Sequence, residues 1–205
     1  MGLYFGKNRK RRVFNFLGFA SLLVFLFSVH TAVAGQFVIE LNAPLDPPSK
    51  ALLSRHNVTL DETLSADTDS YAVFTAASET ALTSFLKAAN IEAEKISEVL
   101  FVNSPTVGGG NPAGSTPHDG NKVYVIERSV PGVGTFGLEK KKQISMKSNA
   151  AIAKLGDIVE WEQSYLTKEG TYCVYRANSP DTLRKHAALA GAPITKITAV
   201  VQKKF

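Results

Sequence analysis

The chain has 205 residues, 44% of them hydrophobic, with 23 basic against 18 acidic side chains. This composition gives room for one or two globular domains and excludes a disordered chain. Five of the basic residues and none of the acidic ones precede residue 35, so the remainder is balanced at 18 to 18 and the overall charge of +5 gives no support to nucleic-acid binding.

In chain order, Lys7, Arg9, Lys10, Arg11 and Arg12 form a positive segment, followed by an apolar run over 13–29 and then Ala32-Val33-Ala34. This is the layout of a signal peptide with a small-x-small cleavage site, so residues 1–34 are expected to be removed and the mature protein to be periplasmic or secreted. An uncleaved anchor is the rival reading, but a membrane span needs about 20 residues and this run is shorter, so no stable span is expected after cleavage. No cysteine follows the run, and Cys173 is the only one in the chain. An exported chain with one thiol has no internal disulfide, so packing or a ligand must hold it together.

Residues 36–41 are strand-like and Pro44 stops them. Only a short helix fits between Ser49 and His56. Alternating Val58, Leu60, Glu62 and Leu64 predict a half-buried strand, Asp67-Thr68-Asp69 a turn, and 71–75 another strand. Ser78 is placed to cap a helix that ends near Asn90, with Leu82, Phe85, Leu86 and Ala89 on one stripe. Ile96 to Val102 reads as a strand. Residues 103–121 are rich in Pro, Gly, Ser and Thr, include Gly108-Gly109-Gly110, and are expected to form a flexible linker.

Beyond the linker a strand is expected over 122–129 and a helix over 138–155. That helix is expected to turn Ile144, Ala151, Ile152 and Leu155 inward and Lys140 to Lys142 outward. Strands over 158–166 and 171–176 follow. Ser179 before Pro180 starts the next helix, Gly191 and Pro193 end it, and 197–202 is the last strand.

The two halves match in two blocks, each without an internal gap, the first copy being 14 residues shorter between its first and second strands. At a shift of 101, Val58, Tyr71, Val73, Phe74, Ser78, Leu82, Lys95, Ile96 and Val99 fall on Val159, Tyr172, Val174, Tyr175, Ser179, Leu183, Lys196, Ile197 and Val200. At a shift of 87, Phe37 to Pro44 falls on Tyr124 to Pro131. A supersecondary unit written twice sets the fold class. It is α+β, with two tandem ferredoxin-like β-α-β-β-α-β units at 36–102 and 122–205. Their strands are apolar on both faces, so the sheet face left bare by the helices must be covered. Packing open face to open face within one chain gives an intramolecular pseudo-dimer resembling a dimeric α+β barrel. The first unit carries 4 basic and 10 acidic residues and the second 14 and 7, an asymmetry that favours their docking.

Tyr124-Val-Ile-Glu-Arg128 with Pro131-Gly132, Trp161-x-x-Ser164-Tyr165, Tyr172-Cys-Val-Tyr175 and Leu183-Arg-Lys-His186-Ala187 resemble a small bacterial family of unknown function. The family is ferredoxin-like and usually dimeric, and it includes a nickel-binding protein. The resemblance implies that this chain fuses two subunits of the family's dimer, the first copy being degenerate. Many members carry a histidine just before the Ser-Tyr pair, where this chain has Gln163.

Three residues stand out as candidate metal ligands. Glu127 is a carboxylate in an apolar strand, matched by Glu40, and needs a partner or a cation; the plain reading pairs it with Arg128 or a lysine across the sheet. His186 replaces the apolar Phe85 of the first copy and is otherwise a core-edge histidine. Cys173 replaces Ala72 and is otherwise a small buried thiol. If sheet and helix bring Glu127, Cys173 and His186 together, a thiolate with an imidazole suits nickel, copper or zinc, with Gln163 a weak fourth ligand. No nucleophile–base motif or cofactor fingerprint appears, and no catalytic residue is assigned. The expected function is therefore that of a non-enzymatic exported protein binding a transition metal, nickel-like, or a small ligand between its two units, with further self-association left open. Two alternatives stand beside it: a small-molecule enzyme with an apolar pocket enclosed between the sheets, and an interaction module for another envelope protein.

Overall fold

The computed structural model describes residues 1–3 and 34–205. The described elements all lie in one compact unit, Ala32–Phe205. The expected signal segment falls mostly outside the described residues.

The first repeat consists of β1 (Gly35–Leu41), α1 (Lys50–His56), β2 (Thr59–Ser65), β3 (Ser70–Ala76), α2 (Glu79–Ala88), β4 (Lys95–Val99) and a short β5 (Phe101–Asn103). The second consists of β6 (Lys122–Ser129), α3 (Leu138–Leu155), β7 (Val159–Leu166), β8 (Gly170–Ala177), α4 (Pro180–Ala190) and β9 (Lys196–Lys204). Local chemistry explains the helix starts. Ser49, Ser78 and Ser179 sit in extended backbone and accept from the amides of Leu52, Ala81 and Thr182, satisfying donors that a first helical turn leaves free.

The nine strands of the described residues form one sheet in the order β4-β1-β3-β2-β9-β6-β8-β7-β5. The strands at its two ends are consecutive in the chain, separated only by Leu100, so the sheet returns on itself. Each repeat hands a strand to the other. β9 pairs with β6 through Lys196–Val200 and then with β2 through Val201–Lys204, while β4 pairs with β1 and its continuation β5 with β7. Period-2 alternation divides each strand's side chains between two cores. Val38, Leu64, Tyr71, Val73, Val125, Tyr165, Tyr172, Val174 and Val200 form a buried cluster shared by the two repeats. Phe37, Ile39, Leu60, Phe74, Leu82 and Phe85 fill the space under the helices of the first repeat, and Tyr124, Ile126, Trp161, Tyr175 and Leu183 the corresponding space in the second. The two ferredoxin-like units thus hide their open faces against each other, as a dimeric α+β barrel does.

The shared core carries paired polar clusters. Tyr71 donates to Glu127 across the repeats at 2.6 Å, and its counterpart Tyr172 donates to Glu40. Lys196 and Lys95 stand in equivalent positions, 3.8 Å from Glu127 and 3.2 Å from Glu40. Glu62 is buried and accepts from Tyr165 at 2.6 Å, Gln202 at 3.0 Å and Gln163 at 3.2 Å. The charge asymmetry between repeats has a direct expression in Lys196, which meets Asp69 of the first repeat at 2.5 Å.

Glu162 is nearly buried and receives Arg176 at 2.7 Å and Lys204 at 2.8 Å. Burial works to raise its carboxyl pKa, but the hydrogen bonds from Lys204 and Gln202 and the nearby cations outweigh it and hold the group below its usual 4.5. A depressed carboxylate pKa contributes stability that is complete above the unfolded value and is lost as pH falls through the folded one. Glu162→Gln should therefore narrow the gap in unfolding free energy between pH 7 and pH 4, measured by urea denaturation. An unchanged gap would show that the carboxylate is not linked to folding.

Two sequence expectations are corrected here. The linker is not a free strap along its whole length: Pro105–Gly108 forms a turn of 3₁₀ helix packed on α3, with Asn149 donating to the Pro105 carbonyl at 2.9 Å. A side chain at Gly108 would meet the Met146 amide nitrogen at 2.6 Å. The first half of helix α3 also departs from expectation: it buries Lys141, Ser145 and Ser148 while Ile144 is exposed, whereas Ala151, Ile152 and Leu155 turn inward as expected. The buried face is polar because it has polar partners: Ser145 donates to Asn103 at 2.7 Å, and the Lys141 ammonium lies over the Phe101 ring, 4.3 Å from its centroid.

Candidate functional site

Alternation along β6 places Tyr124, Ile126 and Arg128 on the helix-covered face and Val125 and Glu127 toward the shared core. Along β8 it places Cys173 and Tyr175 under the helices and Tyr172 and Val174 on the other side. This separates the three candidate ligands. Cys173 and His186 line one cavity of about 210 Å³ between the second repeat's sheet and its helices α3 and α4. Glu127 faces away from it and bonds Tyr71. Gln163 bonds Glu62 and Tyr165 in the shared core. The reason is the parity of the strand: residues 127 and 173 lie on opposite sides of one sheet. The partner of Glu127 is a tyrosine of the first repeat, with Lys196 nearby, rather than Arg128.

The cavity has apolar walls from Val130, Val133, Trp161 and Leu166, and polar groups from Arg128, Ser148, Cys173, Tyr175 and His186. Ser148 Oγ on α3 lies 3.1 Å from the Tyr175 hydroxyl and 3.1 Å from His186 Nε2. The imidazole also packs on the Tyr175 ring with centroids 4.9 Å apart. His186 Nδ1 has no hydrogen-bond partner among the described residues. Burial, and then the charge of Arg128, pushes the His186 pKa down to about 4, so the ring is neutral at pH 7. Burial is also the main force holding the Tyr175 phenol above its usual range, so it stays protonated. Cys173 Sγ lies 3.1 Å from Thr171 Oγ1. Arg128 is 7% exposed and donates to the Pro193 carbonyl.

Comparison with the first repeat shows what is particular to this cavity. At the repeat's own shifts, Leu41, Leu60, Ala72, Phe74 and Phe85 stand where Arg128, Trp161, Cys173, Tyr175 and His186 stand in the second. The first repeat's five residues are all buried in an apolar core. In the second, four of the five positions carry a polar or ionisable group, and space remains between them. The same supersecondary unit has been built once as a solid core and once as a lined pocket.

Residues 124–200 match the SCO4226-like nickel responsive protein family. The match covers the second unit, where Tyr124 to Arg128 and Trp161 to Ala187 carry the resemblance. No curated protein matches the chain. Among solved structures, a mutant chlorite dismutase from Candidatus Nitrospira defluvii is 11% identical over 86% of this chain and 92% of that one, with a TM-score of 0.47. The chlorite dismutase of the same organism in complex with imidazole is also 11% identical, over 84% and 90%, with a TM-score of 0.44. These are likenesses of fold at low identity.

The expectation of a non-enzymatic protein holding a transition metal between its units is corrected. The centre of the space between the repeats is filled by the apolar cluster and its Tyr–Glu bonds, which leaves no room there for a bound ion. The pocket foreseen between the sheets lies instead under the helices of the second repeat. Sequence reasoning missed Arg128, Ser148 and Tyr175 as site residues. A signal for Arg128 was present, since it shares its strand face with Tyr124 and Ile126 and replaces Leu41 of the first repeat.

Proposed function

We propose that the chain is a small-molecule enzyme whose site is the cavity of the second unit, with His186 as its base. The observation that supports this reading is the buried neutral imidazole, joined through Ser148 to Tyr175, in a mostly apolar chamber. A pocket of that kind, with a few convergent polar groups and one strongly shifted pKa, suits ligand binding with proton transfer. Tyr175 is the proton-bearing end of the chain and His186 the end able to accept, and Ser148 can pass a proton between them. Exclusion of water by Trp161, Val133 and Leu166 keeps the imidazole unprotonated at neutral pH and so free to accept a proton, at some cost in basicity, since the same burial lowers its pKa. We infer from residues 1–34 that this chemistry takes place outside the cytoplasm, which N-terminal sequencing of the exported protein tests.

Nickel, which the family's name suggests, does not fit this donor set well. Cys173 and His186 share a cavity wall with the Arg128 guanidinium, whose charge repels a divalent ion, and no three His, Cys, Asp or Glu side chains cluster among the described residues.

The test is a probe reaction that asks only for an apolar pocket and a base. 5-Nitrobenzisoxazole loses its ring C–H proton to a base as the N–O bond breaks, releasing a coloured phenolate. The protein should accelerate this about a hundredfold over buffer, within the usual range for a positioned base, and His186→Ala should abolish the effect. Because the imidazole must be unprotonated, the rate should be flat from pH 8 to pH 6 and fall as pH drops toward about 4. No acceleration, or acceleration that survives His186→Ala, would overturn the assignment.

A further inference from the structure

We infer that the ligand of this cavity is a small organic carboxylate with an apolar body, held by Arg128; the inference rests on the cavity being the functional site. Arg128 is one of two arginines in the second repeat that are nearly buried, and the two are treated differently. Arg176 meets Glu162 at 2.7 Å and Glu160 at 4.0 Å. Arg128 has no carboxylate within 4 Å among the described residues: it donates to the Pro193 carbonyl and otherwise meets only the Cys173 thiol and the Tyr175 hydroxyl. A guanidinium carries five N–H donors in a planar fork shaped for bidentate carboxylate contact. A buried cation without a counter-charge is costly unless something supplies one, and here the side chain borders a space large enough for a small molecule.

The rest of the lining narrows the class. His186 is neutral and Tyr175 protonated, so neither repels an anion. Trp161, Val130, Val133 and Leu166 offer a dry surface for a ring or a branched hydrocarbon. In the first repeat the position of Arg128 is Leu41, 5% exposed in a filled core. The charge is therefore no requirement of the fold: the same strand position closes without it. A buried charge that folding does not require, beside an open chamber, is best accounted for by its ligand.

The experiment compares benzoate with benzamide, its neutral counterpart of nearly equal shape, by calorimetric titration of the full-length protein at pH 7. Benzoate should bind at least about tenfold more tightly, a modest return for one charge-assisted bidentate contact. In Arg128→Gln the preference should disappear while benzamide binding is kept. Equal affinities in the unaltered protein, no binding of either, or a benzoate preference that persists in Arg128→Gln would each overturn the inference. The first comparison needs no variant, so it decides the matter even if Arg128→Gln fails to fold. The outcome is separable from that of the proposed base: 5-nitrobenzisoxazole is uncharged, so benzoate binding without turnover would sink the role of His186 alone, and turnover without a benzoate preference would sink the carboxylate alone.

Discussion

A chain ending at Val200 should be destabilised by at least about 4 kcal/mol relative to the full chain. The five residues removed look expendable from their exposure, since Val201 and Phe205 are 74% and 55% exposed. Their backbone and polar atoms are not expendable. Val201 to Lys204 form the ladder to β2 that joins the second repeat to the first, and Phe205 donates to the Asp61 carbonyl at 3.0 Å. Gln202 reaches both Glu62 and Glu162, at 3.0 and 3.1 Å, and Lys204 reaches Glu162 at 2.8 Å. Removing them takes Gln202 from the buried Glu62 and the half-exposed Lys204 from Glu162, which keeps Arg176. With the ladder bonds to β2, the lost hydrogen bonds, at about 0.5–1.5 kcal/mol each, sum to several kcal/mol. A typical domain has only about 5–15 kcal/mol in total, so the loss should be evident in urea denaturation. The loss of the ladder should also broaden the transition, because the two repeats would no longer unfold as one cooperative unit. A truncated chain within about 1 kcal/mol of the full one, with an unchanged slope, would show that the shared sheet does not depend on this hook.

That exchange of strand ends also shows where reading the sequence reached its limit. The repeat was legible because equivalent side chains recur at constant shifts, and the bare apolar faces required the repeats to meet. Which residues of the last strand pair with which repeat was not legible, because hydrophobic period gives a strand's faces and says nothing about the neighbours at its edges. The cavity was hidden for a related reason. Alternation separates Glu127 from Arg128, but only the helix packing decides which side becomes a lined pocket and which a filled core. Helix α3 added to the difficulty. Its buried face is serine and lysine rather than a stripe of leucines, so periodicity pointed to Ile144, and Ser148, which links Tyr175 to His186, looked like surface. The substitutions of Phe85 by His186 and Ala72 by Cys173 were visible from the repeat alone, and they proved to share one wall. The same shifts already set Leu41 against Arg128 and Phe74 against Tyr175, but a change from apolar to polar at those positions carries no weight until helix packing shows which of them border the same space.

Gly170→Ala is expected to damage both the fold and the site, through backbone contact rather than any lost interaction. Gly170 opens β8 opposite Ser129 of β6, and its turn is held by Thr167, whose hydroxyl accepts from the Gly170 amide at 3.1 Å. A Cβ at this position would stand 2.1 Å from the Arg128 carbonyl oxygen and 3.4 Å from the Ser129 Cα. Those atoms belong to a strand paired on both sides, to β8 and β9, so the clash cannot be relieved by turning a side chain. β6 must shift or the end of the ladder must open. Overpacking of this kind typically costs about 1–3 kcal/mol, and an immovable backbone neighbour puts this case at the upper end or above. Gly137 is the control: its backbone lies at φ −59° and a Cβ there meets nothing within 4 Å, so Gly137→Ala should change stability by less than about 1 kcal/mol. The strand forced to move is the one that carries Arg128. Gly170→Ala should therefore also weaken benzoate binding in whatever fraction remains folded, while the His186-dependent turnover of 5-nitrobenzisoxazole, which depends on α3 and α4, is reduced less. Unfolding free energies of the two glycine variants within about 0.5 kcal/mol of each other would mean that the close approach of β6 and β8 at this corner is not a constraint on the chain.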